Sequence, residues 1–87
     1  MGGMWLSDPL TFIITAHAWL EMFADGLTAV DIESVLLRGR IEMVYENDPR
    51  GTRYRVVGAA SDLATEVAVI VRFVLRDEVL VITAFAL

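Results

Sequence analysis

Two kinds of spacing between apolar residues divide the chain near Gly39. Before this glycine, Ile32, Val35 and Leu36 recur at the three- and four-residue intervals that place side chains on one face of a helix. After it, apolar and charged residues alternate, which is typical of a half-buried β-strand. The pattern therefore predicts helices in the first half of the chain and a sheet in the second.

Residues that start and stop helices frame two segments in the first half. Thr15 and Thr28 precede the segments and are typical N-cap residues, because a threonine oxygen can accept a hydrogen bond from a free backbone N–H. Gly26 and Gly39 follow them and are typical of the position where a helix ends. The predicted helices cover residues 15–25 and 28–38.

The remaining apolar runs predict five strands. The run from Leu10 to Ile14 is rich in β-branched and aromatic residues, which favours a short strand. A longer helix that starts at Ser7, with Pro9 in its first turn, fits the same residues as an alternative. Beyond Gly39, turn-forming residues separate four further strands. Their expected bounds are 40–46, 53–57, 67–75 and 79–85, with a loop at 58–64 and a final turn at 76–78.

These elements predict an α+β domain. Two helices can cover only one face of such a sheet, so we expect two N-terminal helices packed on one face of a mainly antiparallel four- to five-stranded sheet. Residues 1–9 are expected to be an N-terminal extension and residues 10–87 a single domain, since 87 residues suffice for only one. The aromatic residues expected in the core are Trp19, Phe23, Tyr45 and Tyr54.

The uncovered face of this sheet is a candidate binding surface. Alternation places charged residues from three strands on it, interspersed with apolar ones. The set comprises Arg40, Glu42, Glu46, Arg53, Arg55, Glu66 and Arg72, together with Val44, Val57, Ala68 and Ile70. Such a face fits either a basic, partly apolar binding surface or an ordinary solvated face with ion pairs.

Composition narrows the chemistry of any site. The chain has no cysteine, no lysine and one histidine, so thiol nucleophiles, Schiff-base lysines and multi-histidine zinc sites are excluded within one copy. We therefore expect no metal and no cofactor.

The longest apolar run, residues 79–87, is about half the length of a membrane-spanning helix, and no targeting segment is visible. We therefore expect a cytoplasmic protein without membrane contact.

The net charge of the chain indicates which class of binding partner it favours. The net charge is −5 and the isoelectric point is near 4.6, although residues 38–55 hold five of the seven arginines. An acidic chain repels phosphate groups at long range, which disfavours RNA as a partner. The high apolar fraction, 56%, instead predicts a homo-oligomer or a protein partner.

One set of residues nonetheless suits metal-independent RNA cleavage, which needs a base, an acid and cations for the phosphate. The candidate catalytic residues are His17 as base or acid, Arg53 as phosphate ligand and Tyr54 as acid or stacking surface. The candidate binding residues are Arg40, Arg50, Arg55 and Arg72. A lone histidine beside a helix N-cap is, however, more often a structural residue.

Several short motifs, in their order and spacing, resemble the bacterial domain-of-unknown-function family 4258. They are Thr15-Ala16-His17-Ala18, Asp25-Gly26-Leu27, the run from Asp31 to Leu36, Asp48-Pro49-Arg50, and Ile82 to Phe85. The resemblance spans about residues 10–86. It implies a fold similar to the RelE/ParE toxin superfamily, whose members include mRNA-cleaving toxins of toxin–antitoxin pairs and gyrase inhibitors.

Three positions depart from the family pattern. Glu21 and Asp25 stand where the pattern has arginines, and Phe85 stands where it usually has a tyrosine. Each departure removes a group that RNA cleavage could use. We therefore favour a toxin-like domain that is non-catalytic or degenerate and acts as a protein-interaction module, with an antitoxin as one candidate partner. The alternative is an mRNA-cleaving ribonuclease toxin, and the sequence leaves open whether the chain is an enzyme.

Overall fold

A computed structural model describes residues 11–75 and 78–87, which form two helices and five strands. The helices are α1 (Ala16–Ala24) and α2 (Ala29–Arg38). The strands are β1 (Thr11–Ile14), β2 (Arg40–Tyr45), β3 (Arg53–Ala59), β4 (Glu66–Leu75) and β5 (Glu78–Ala86). The predicted element order is confirmed, and residues 11–14 form the expected strand rather than part of a longer helix.

The five strands form one sheet in the order β1-β5-β4-β3-β2. Strands β2 to β5 are antiparallel neighbours, whereas β1 pairs with β5 in parallel. The α+β class and the mainly antiparallel sheet are therefore confirmed. The N-terminal extension predicted for residues 1–9 and part of the last predicted turn lie outside the described residues.

The two helices begin at the predicted caps. The Thr15 side chain accepts a hydrogen bond from the Ala18 N–H at 3.1 Å. Thr28 and Asp31 form a capping box, in which each side chain accepts from the other residue's backbone N–H. Gly26, with φ of +70°, follows the end of α1 in the left-handed region. Neither of the two described helices is long and apolar enough to cross a membrane.

The core lies between one face of the sheet and the two helices. Helix α2 packs on β3 and β4, and α1 packs on β5. The buried cluster comprises Ala18, Met22, Leu27, Ile32, Val35, Leu36, Val56, Ala60, Val67, Val69, Val71, Val79, Val81 and Ala84. The prediction that Trp19 and Phe23 lie in the core is wrong, because α1 turns only Ala18 and Met22 towards the sheet.

A β-bulge changes the alternation of β2. Ile41 pairs with Val56, but after a shift in register Met43 pairs with Arg55 and Tyr45 with Arg53. Because paired residues of antiparallel strands point to the same face, Met43 and Tyr45 lie on the face away from the helices. The prediction of Tyr45 as a core residue is therefore wrong, whereas Tyr54 packs against the core as expected.

The face of the sheet away from the helices, here called the open face, contains two buried residues. Val57 and Ala68 pair there with each other and are 1% and 0% exposed. Arg55 on β3 and Phe85 on β5 contact each other across β4 beside this pair. Val57 thus lies on the expected face of the sheet but is buried rather than exposed.

Candidate functional site

The outward side of α1 is apolar. Trp19, Leu20 and Phe23 are 48%, 72% and 86% exposed, and Ala16 and Ala24 are exposed as well. At about 100° per residue, these five side chains share an arc of roughly 140° on the helix surface. We call them the α1 surface; its two aromatic residues and one leucine give it an apolar area on the order of a few hundred Å².

The polar side chains of α1 are turned away from this surface towards the edge of β5. Glu21 Oε1 accepts a hydrogen bond from the Ala84 N–H at 3.2 Å and another from the Thr83 hydroxyl. Asp25 Oδ2 accepts from the Ala86 N–H at 2.8 Å. Strand β1 pairs with β5 only as far as Val81. Beyond that point, these carboxylates are the hydrogen-bond acceptors for backbone N–H groups of β5.

These contacts give a structural role to two of the departures from the family pattern. Glu21 and Asp25 accept backbone hydrogen bonds, which an arginine at either position could not do because it has no acceptor. Sequence reasoning treated both residues only as lost cations. The sequence does show that Glu21 and Asp25 are four residues apart and so lie on one side of the helix. It does not show that both side chains bond to β5.

His17 lies beside Glu21 on α1. Its Nε2 is 3.5 Å from Glu21 Oε2, and its side chain is 71% exposed. Since Glu21 Oε1 is held by β5, its second oxygen faces the imidazole. A histidine oriented by a carboxylate can transfer protons, but the Thr83 hydroxyl donates to Glu21 and not to His17. The group is therefore not a nucleophile–histidine–carboxylate relay.

Arg53 is held on the open face by a carboxylate and a ring. Its Nε lies 2.7 Å from Asp48 Oδ2, and its guanidinium lies 5.2 Å from the centre of the Tyr45 ring. The Nε atom is buried and the contact lacks hydrogen-bond alignment, so it is an ion pair. Asp48 supplies the charge that a bound phosphate would otherwise supply.

Arg55 repeats this arrangement two residues further along β3. Its Nε lies 2.8 Å from Glu42 Oε1, again as an ion pair without hydrogen-bond alignment, and its guanidinium lies 5.7 Å from the Phe85 ring centre. Phe85, one of the three departures noted from the sequence resemblance, thus contacts an arginine with its ring. Both predicted phosphate ligands on β3 are neutralised by carboxylates of the same chain.

The other candidate binding arginines differ from Arg53 and Arg55 in their contacts. Arg72 pairs directly with Arg53 across β3 and β4, and its stem lies against Gly51. Among the described residues, Arg40, Arg50 and Arg72 form no ion pair. The positive charge of the candidate binding residues therefore comes from these three arginines, because carboxylates neutralise Arg53 and Arg55.

The fold does not bring the three candidate catalytic residues together. His17 lies on α1 beside β5, whereas Arg53 lies on β3, two strands away. Neighbouring strands are about 4.8 Å apart, which separates the two elements by roughly 10 Å. Tyr54, next to Arg53 in sequence, faces the helix side and forms an edge-to-face pair with Phe73 at 5.7 Å between ring centres.

The described residues include side chains of the kinds that can bind a metal ion. Within residues 11–75 and 78–87, no group of three or more histidine, aspartate or glutamate side chains is placed to hold a metal ion. The buried carboxylate, Asp31, serves the fold instead: hydrogen bonds from the Ser61 hydroxyl and the Thr28 backbone lower its pKa to about 2.

Comparison with known protein families gives a match over nearly the whole chain. The model of a domain of unknown function, DUF4258, matches residues 14–86. No curated protein and no solved structure matches significantly.

Proposed function

This chain belongs to the DUF4258 family of domains of unknown function, and we propose that it is a non-catalytic protein-interaction module, related to toxins of toxin–antitoxin pairs, that binds a partner protein through α1. The family description states no activity, so the proposal depends on the molecule's own surface. A degenerate toxin-like domain of this kind would keep the ability to bind a partner after its catalytic set was lost.

The exposed apolar side of α1 is the observation that carries this proposal. Phe23 is 86% exposed and Leu20 72%, on a helix whose buried side is apolar as well. A helix of a soluble domain normally buries one apolar stripe and presents polar residues to solvent, so a second apolar side that is exposed is unusual. Contiguous apolar patches of several hundred Å² on soluble proteins are typical of interaction sites.

The charge around α1 determines the chemistry of the partner. The charged side chains on or directly after α1 are the carboxylates Glu21 and Asp25, and residues 11–37 contain no lysine or arginine. A second α1 would bring the same charges to the interface, whereas an apolar helix flanked by lysine or arginine complements both the surface and its rim. We therefore propose a basic amphipathic helix as the occupant, with an antitoxin as one candidate source.

The ribonuclease alternative has weaker support in the geometry. His17 lies on α1, Arg53 and Tyr54 point to opposite faces of β3, and Asp48 neutralises Arg53. Metal-independent cleavage requires the base, the acid and the phosphate ligand within reach of one substrate. A non-catalytic role agrees with their separation.

A library of displayed helical peptides tests the proposal directly. We expect selection on the full chain to enrich apolar peptides with flanking lysine or arginine. Binding of a selected peptide, followed by fluorescence anisotropy, should weaken at least tenfold with Leu20→Glu or Phe23→Glu, because each places a charge in the buried centre of the interface. Val30→Glu is the matched control, since Val30 is 60% exposed on α2 and lies outside the α1 surface.

The predicted binding role of Arg40, Arg50, Arg55 and Arg72 is tested in the same assay. Arg72→Glu removes an arginine that forms no ion pair among the described residues. If this variant abolishes peptide binding while Phe23→Glu preserves it, the open face is the docking surface and the α1 proposal is wrong. Peptides that bind both glutamate variants of α1 with unchanged affinity would also refute it.

A further inference from the structure

Strand β2 forms the edge of the sheet opposite to β1, and it is exposed along most of its length. Five of its six residues are exposed, and β3 is its one strand neighbour in the described sheet. Helix α2 packs mainly on β3 and β4 and α1 on β5, and much of β2 stays exposed on the helix side as well. The unpaired backbone groups of such an edge can pair with another strand.

The strand carries exposed apolar side chains on both faces. Ile41 and Val44 pair with core-facing residues of β3 and lie on the helix side, 38% and 43% exposed. Met43, 50% exposed, and Tyr45 lie on the open face. Pairing with another strand would cover both sets at once, which packing against a single helix could not do.

The bulge makes the outer edge of β2 self-complementary. When Glu42 and Met43 are counted as one bulged position, the strand has five positions with the bulge at its centre. A two-fold axis through the bulge places Ile41 opposite Val44 of a second copy, with both on the helix side. The same axis places Arg40 opposite Tyr45 of the second copy, with both on the open face.

We infer that two copies of this chain associate through antiparallel pairing of their β2 strands, which joins the two sheets into one continuous sheet. The inference concerns a different surface from α1 and stands independently of the proposed partner. Two Ile41–Val44 contacts form the centre of this interface on the helix side. Cross-strand pairs of this kind stabilise sheets.

Charge also fits a second copy. Arg40 forms no ion pair among the residues that the structure describes. In the two-fold arrangement it lies opposite Tyr45 and beside Glu46 of the other copy, and Glu46 offers it an ion-pair contact. The one carboxylate within β2, Glu42, is neutralised by Arg55 of its own chain, so the two strands bring together no unpaired like charges at the centre.

The mass of the full chain in solution gives the first test. Sedimentation at micromolar concentration should give twice the 9.7 kDa of one chain. The double variant Met43→Lys, Val44→Lys should sediment as a monomer while keeping its far-UV circular dichroism. The control Val30→Lys should remain dimeric. Phe23→Glu should also remain dimeric, which separates this surface from the α1 surface.

Cysteine cross-linking tests the register itself, because the natural chain has no cysteine. Mixing the Ile41→Cys and Val44→Cys variants under mild oxidation should give a disulfide-linked dimer, since directly opposed residues of antiparallel strands have the Cα separation that a disulfide needs. Either variant alone should give at least fivefold less cross-linked product, because each cysteine then faces a residue that cannot react.

Three results would overturn the inference. One is a monomeric mass for the unmodified chain at micromolar concentration. Another is a dimer that survives Met43→Lys, Val44→Lys but is lost in Phe23→Glu. The third is equal cross-linking of the mixed and single-cysteine samples, which would show that the two strands do not meet in this register.

Discussion

Gly58 lies so close to Gly39 that a Cβ atom on Gly58 would be 2.8 Å from the Gly39 Cα. Gly39 is equally confined, because a Cβ there would lie 2.5 Å from the Val35 carbonyl oxygen and 2.7 Å from that of Val57. The chain therefore passes from α2 into β2 in backbone contact with β3. This close approach allows the core residues Val35 and Leu36 to reach the sheet.

The first prediction concerns this contact. Gly58→Ala should lower the free energy of unfolding by about 2 kcal/mol or more, because the added methyl group meets backbone that cannot move aside as a side chain could. Urea unfolding measures the change. Gly26→Ala is the control: nothing lies within 4 Å of its added Cβ, so it should lose only about 1 kcal/mol for the left-handed backbone. Equal losses in the two variants would contradict the steric account.

The second prediction concerns Asp31 and pH. Hydrogen bonds from the Ser61 hydroxyl and the Thr28 backbone lower its pKa from 3.8 to about 2 in the folded chain. Because the folded pKa is below the unfolded one, the stabilisation is fully present above pH 4 and is lost as the pH falls towards 2. Asp31→Asn should thus lower the unfolding free energy by about 1–2 kcal/mol at pH 7 and by much less near pH 2.

Urea unfolding at a series of pH values checks this expectation. Glu33→Gln is the matched control, since Glu33 is exposed on the same helix and appears in no hydrogen bond of the Asp31 network. Its stability should differ little from that of the natural chain at every pH. A constant difference between Asp31→Asn and the natural chain from pH 7 to pH 2 would refute the proposed linkage.

Local signals predicted most of the fold, and long-range relationships account for the errors. Thr15 and Thr28 act on backbone groups within three residues, so their capping could be inferred from the sequence. The exposure of Phe23 depends on α1 packing on β5 with only one of its sides, which the periodicity of α1 does not encode. The face of Tyr45 depends on a bulge two residues earlier, and one inserted residue reverses the alternation that follows.

The candidate site was less accessible to sequence reasoning than the fold. The spacing of Arg53 and Arg55 correctly placed both on one face of β3, as their shared open-face contacts show. Their neutralisation by Asp48 and Glu42 depends on the register between β2 and β3 and on the path of the turn between them. Charge counts along the sequence do not contain this information.

The third prediction concerns the two acidic departures on α1. Glu21→Arg, which introduces the residue of the family pattern, should lower the unfolding free energy by about 1–3 kcal/mol, because the Ala84 N–H and the Thr83 hydroxyl lose their acceptor. Glu33→Arg makes the same charge change at an exposed site of α2 and should have little effect. A variant at position 21 that is as stable as the control would show that the contact with β5 contributes nothing.

The last prediction sets the two function classes against each other in living bacteria. If the chain is an interaction module, inducing its expression should leave the growth rate unchanged, and His17→Ala and Arg53→Ala should make no difference. The separation of these two residues by two strands, and the neutralisation of Arg53 by Asp48, are the physical reasons. A ribonuclease toxin would instead arrest growth, and either variant would relieve the arrest by removing a transition-state contact. Growth arrest by the natural chain that His17→Ala relieves, while the soluble protein level and circular dichroism stay constant, would therefore refute the interaction module.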